Sequence, residues 1–83
     1  MILSRQGKNK EALEAYDLVL ERYGRGNKAA EAHLKKGNLL IEMKQLEAGA
    51  RELRELVRRF PSTEEAKLAR ERLRLLGPVR RSN

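Results

Sequence analysis

Few residues of this 83-residue chain could do chemistry, and their spacing argues against it. His33 is the only histidine and there is no cysteine, so the usual imidazole and thiolate ligands cannot assemble a metal site. Glu31 lies two residues away and falls on a different side of any helix that carries both. His33 therefore reads as a packed or surface residue. Ser4, Ser62 and Ser82 have no histidine at a spacing that suggests a nucleophile and its base. Gly24-Arg25-Gly26-Asn27-Lys28 has the glycines of a phosphate loop. It lacks the closing Lys-Ser or Lys-Thr and a preceding strand, so it reads as a turn. No catalytic residue, cofactor or metal ligand is assigned, and an enzyme is not expected.

Charge says more. The net charge is +7, and most of the excess lies from Arg51 onward. Lys67, Arg70 and Arg74 sit at helical spacing and form one basic face. Such a face can attract nucleic acid, an anionic surface or an acidic protein. There is no nucleic-acid motif, and the aromatic residues number only three, Tyr16, Tyr23 and Phe60, so stacking on bases has little to work with. A solvated helix face is the plain alternative, and an acidic protein partner ranks ahead of nucleic acid. No apolar run approaches the roughly 20 residues of a membrane span, and Met1-Ile2-Leu3-Ser4 is too short for a signal peptide.

The elements that must position these residues are helices. Ala, Leu, Glu, Lys and Arg dominate, and all favour helix. A short stub over Met1–Gln6 is expected to stop at Gly7, with Asn9 capping a second helix that runs to Tyr23. Gly24 to Asn27 forms a turn, with Asn27 as the next cap. A third helix is expected over 28–43 and a fourth over 46–59, broken by Pro61. Ser62 and Glu65 have the spacing of a capping box that opens a fifth helix, ending at Leu76 before Gly77-Pro78. Residues 78–83 read as a basic, flexible tail behind a domain of residues 1–77. No strand pattern occurs.

A repeat organises these helices. Ala12, Tyr16, Val19 and Tyr23 recur as Gly49, Leu53, Leu56 and Phe60, each shifted by the same interval, and Ala29 and Ala32 recur as Ala66 and Ala69. Periods of 20 to 50 residues mark stacked helical hairpins. The fold class is therefore all-α, about two antiparallel hairpins plus a closing helix. Gly37 and Gly49 fall inside helices, each at a cost of roughly 1 kcal/mol against Ala, and mark a close helix crossing. Because the stub is too short to pair with the second helix, Leu13, Tyr16 and Leu20 lack part of their cover. A homo-oligomer formed through the N-terminal end is expected.

Gly37, Leu40, Gly49, Leu53, Leu56 and Pro61 fall in the order used by the tetratricopeptide repeat, which this chain resembles over roughly Ala30 to Ser62. His33 and Lys36 depart from it, standing where that family prefers large apolar side chains, and Lys44 replaces a common turn glycine. The run Lys28-Ala29-Ala30-Glu31-Ala32-His33-Leu34-Lys35-Lys36-Gly37 and the run from Phe60-Pro61-Ser62 through Ala66-Lys67-Leu68-Ala69 to Leu76-Gly77 also resemble the C-terminal repeats of the YbgF (CpoB) family, the cell division coordinators of the Tol-Pal system, while Gly24-Arg25-Gly26-Asn27 departs from the proline turn usual there. Outer-membrane assembly lipoproteins of the BamD type share the style and remain an alternative, as does a self-associating repeat fragment without a ligand of its own.

The resemblance implies a binding module of the Gram-negative periplasm whose partner is the TolA component, in a role linking envelope constriction to peptidoglycan synthesis. Without that resemblance the expected setting is cytoplasmic. In tetratricopeptide arrays the first helix of each pair lines the groove, which here implies Glu31, Leu34, Lys35, Asn38, Ile41 and Glu42. Lys35 and Asn38 would hydrogen-bond a peptide while Leu34 and Ile41 offer apolar contact. Ordinary packing against a neighbouring repeat is the other reading of the same positions.

Overall fold

The computed structural model describes residues 2–77, with side chains from Lys8 onward. The expected basic tail at 78–83 lies outside the described residues. Four helices follow one another: α1 (Ile2–Arg22), α2 (Asn27–Glu42), α3 (Leu46–Arg59) and α4 (Glu64–Leu76). They stack as antiparallel hairpins in a tetratricopeptide-like array, with α2 packed against all three of the others.

The expected stub and its neighbour are one helix, because α1 runs unbroken through Gly7 and past Asn9. Ending a helix and starting another requires a second nucleation, which is far less favourable than propagating through one glycine at roughly 1 kcal/mol. The next two boundaries shift by one residue. Gly26 N–H bonds the Tyr23 carbonyl, which leaves Gly26 extended as the cap and places Asn27 inside α2. The cap of α4 is Thr63, not Ser62. The turn closed by Thr63 N–H on the Phe60 carbonyl sets that register. The Thr63 hydroxyl donates to the Phe60 carbonyl at 2.7 Å and accepts the Ala66 amide at 3.1 Å. Residue 66 is an alanine and cannot reciprocate, so there is no capping box. Thr63→Ala should cost about 1 kcal/mol of stability in urea denaturation. Ser62→Ala should stay within about 0.5 kcal/mol.

Lys44 occupies the left-handed region at φ 70°, the conformation in which a turn glycine is usual. Gly77 closes α4 at the same φ.

The core is built from small residues around two leucines. Leu53 and Leu56 are fully buried, packed with Ala30 and Ala69, and each contributes about 1.5–3 kcal/mol by leaving water. Ala29, Ala32, Ala50 and Ala66 are buried as well, which keeps the helix axes close. Gly37 and Gly49 mark the tightest point. A Cβ on Gly49 would stand 2.8 Å from the Gly37 carbonyl oxygen and 2.7 Å from Ile41 Cγ1, and one on Gly37 would stand 2.7 Å from Leu53 Cδ2.

The repeat is symmetric in sequence and asymmetric in burial. Leu53 and Leu56 on α3 are fully covered, whereas their equivalents Tyr16 and Val19 on α1 are half-buried, and Tyr23 is 58% exposed. The reason is position: α3 lies against both α2 and α4, while α1 packs only on α2.

Candidate functional site

Two arrangements stand out: a groove between α2 and α4, and a charged cluster within the helix stack. The groove exists because α4 follows α3 back across α2, leaving the two first-of-pair helices side by side. Leu34 and Asn38, one turn apart on α2, form one wall, and Leu68, Glu71, Arg72 and Leu75 on α4 form the other. The opening holds about 250 Å³. Leu68 is 51% exposed and Leu75 is 74% exposed. They lie seven residues apart, two helical turns along one face. Asn38 Oδ1 is buried without a hydrogen-bond partner. An unsatisfied acceptor of that kind costs about 1–3 kcal/mol.

The six groove residues expected from sequence divide. Leu34 and Asn38 line the groove. Glu31 and Lys35 are exposed and pair with each other at 3.2 Å. Ile41 packs inward on the core, its Cγ1 against Gly49. Glu42 is exposed at the end of α2. Sequence reasoning missed the α4 wall; its signal was Leu68 and Leu75, large apolar residues two turns apart on a helix otherwise rich in arginine.

Lys67, Arg70 and Arg74 surround a shallow recess with Glu71. Arg74 reaches both Glu71 carboxylate oxygens at 2.9 and 3.0 Å, and Arg70 donates to the Pro61 carbonyl at 3.4 Å. Two of the three cations are thus already engaged within the protein.

The second arrangement was not legible in the sequence. His33 is only 5% exposed, and its Nδ1 lies 2.6 Å from Glu52 Oε1. Lys36 Nζ lies 3.4 Å from Glu52 Oε2 and 2.6 Å from Asp17 Oδ1. This chain of charges ties α3 to α2 and α2 to α1. Burial opposes the ionised form of Glu52, but the His33 hydrogen bond and the Lys36 charge outweigh it and hold the carboxyl below its ordinary value. For Lys36 burial again opposes the charge, and Asp17 and Glu52 together raise it. His33 and Lys36 are the two departures from apolar preference noted above, and Glu52 is why both are tolerated there. The pairing resembles a histidine–carboxylate dyad, but His33 Nε2 is buried without a partner, so no substrate can reach it. Among the described residues no three His, Cys, Asp or Glu side chains group to hold a metal ion. No helix there is long and apolar enough to cross a membrane.

The tetratricopeptide repeat family model matches residues 31–63, which is α2 from Glu31, all of α3 and the turn to the Thr63 cap. No curated protein and no solved structure matches the chain significantly. Residues 31–63 thus match one tetratricopeptide repeat, within a helical scaffold of the kind that presents surfaces to other proteins.

Proposed function

We propose that this chain holds an extended segment of a partner polypeptide in the groove between α2 and α4. The observation that carries the proposal is the pair Leu68 and Leu75, exposed beside Leu34 and Asn38 on the adjoining first helix. Apolar side chains of a ligand would pack between the leucines, and its backbone would meet Asn38 and Arg72. Peptides selected from a random display library against the 83-residue chain provide the test. Leu68→Glu with Leu75→Glu should weaken the selected peptides about tenfold or more, while leaving stability within about 0.5 kcal/mol, since both side chains are exposed. Unchanged affinity in that variant would remove the groove from the account.

The finer reading is a periplasmic role with TolA as the partner. It rests on the Phe60-to-Gly77 run that resembles the YbgF (CpoB) repeats. Purified periplasmic TolA fragments should bind wild type and lose affinity for the leucine double variant. Absence of binding would leave the peptide-groove reading standing and end the TolA one.

Self-association rests on a separate observation, the partly open α1 with Leu18 47% and Tyr23 58% exposed. A second copy packed there should raise the sedimentation mass above that of one chain at tens of micromolar. A single-chain mass would remove it.

A further inference from the structure

A further recess lies away from the groove, at the end of the stack where α1 turns into α2. It is open, about 510 Å³, and four cations stand around it: Arg22 at the end of α1, Arg25 in the turn, Lys28 at the start of α2 and Arg59 at the end of α3. Glu21 is the one anion among its lining residues, and Tyr23, 58% exposed, forms part of the wall. Arg59 is brought there by the fold rather than by chain proximity. Its carboxylate neighbour Glu55 is 4.0 Å away and is held more closely by Arg58.

Like charges gathered around one recess repel each other. A ligand that supplies anions there is attracted by all four at once, and three of the four are arginines, whose planar forks suit carboxylate or phosphate oxygens. We propose that this recess is a second binding site, for a carboxylate-rich segment of a polypeptide. An open recess of about 510 Å³ lined by four separate cations suits single charges strung along a peptide better than one compact phosphate, and Glu21 would oppose a concentrated dianion. One tyrosine supplies no stacking platform for a run of bases, which disfavours nucleic acid. The site is independent of the groove.

Fluorescence anisotropy with fluorescein-labelled hexaglutamate tests it at low ionic strength, where exposed charges are least screened. Arg25→Glu with Lys28→Glu should weaken binding about tenfold or more. Lys67→Glu with Arg74→Glu removes the same charge from α4 and should weaken it less than about threefold. Circular dichroism checks that both fold. Should the first pair fail to fold, Arg22→Gln with Arg59→Gln replaces it, with an expected loss of about threefold or more. Leu68→Glu with Leu75→Glu, which disables the groove, should weaken hexaglutamate less than about threefold, which separates this site from the groove. The proposal is overturned by an equal loss in the two charge-reversal pairs, by no saturable binding, or by tighter binding of oligothymidylate. It is also overturned if inorganic phosphate displaces the peptide well before chloride at matched ionic strength.

Discussion

Gly49→Val is expected to destabilise the chain by about 3 kcal/mol, the upper end of the usual range for overpacking. Even the first carbon of a side chain has no room: it would stand 2.8 Å from the Gly37 carbonyl oxygen, 2.7 Å from Ile41 Cγ1 and 3.2 Å from Ile41 N. Two of these are backbone atoms of α2, so relief requires the helices to part, and Leu53 across the same contact is fully buried. The alignment of Gly49 with Ala12 suggests that alanine would be harmless. The crossing corrects that expectation, because Gly49 is buried against α2, whereas Ala12 is only half-buried. Gly49→Ala gains about 1 kcal/mol in helix propensity and should still come out destabilised, by about 1 kcal/mol. Urea denaturation measures both. Midpoints equal to wild type for the two variants would show that α2 and α3 do not approach this closely.

Glu52→Ala should be nearly as costly, about 2–3 kcal/mol at neutral pH, because it strips the carboxylate from His33 and Lys36 together. The pH dependence has a definite sign. The Glu52 carboxyl is held below its ordinary value of 4.5. Its contribution is therefore present above pH 4.5 and lost as pH falls through the folded-state value below that. Lys36 is raised above 10.5. Its contribution is present below pH 10.5 and lost as pH rises through the higher folded-state value. The difference in Tm between wild type and Glu52→Gln should thus shrink as pH falls from 5 into the acid range below 4.5. A constant difference across that range would show that the Glu52 charge plays no part in holding α2 against α3.

The fold was largely legible because its signals are local. Pro61 and Gly77 set helix ends, and the recurrence of Ala29 and Ala32 as Ala66 and Ala69 identified equivalent faces that are all buried. Gly7 misled because a glycine is a stop signal only where the chain gains by turning, and α1 gains more by continuing. Ser62 misled because the Phe60–Thr63 turn, a matter of geometry, chose between two adjacent hydroxyls. The candidate site was half legible. Leu34 and Asn38 could be placed from the repeat, but Leu68 and Leu75 required knowing that α4 lies beside α2. The His33–Glu52–Lys36–Asp17 chain was beyond reach, since it depends on the rotation of three helices about their axes, and charged residues taken one by one read as solvated.

The central claim is that ligands enter between α2 and α4. Titration of a display-selected peptide into the isotope-labelled chain, followed by amide chemical shifts, tests it most directly. The account predicts that the largest changes fall on Leu34, Asn38, Leu68, Arg72 and Leu75, with α1 and the outer face of α3 little affected. Changes concentrated on α1, or spread evenly over all four helices, would contradict it.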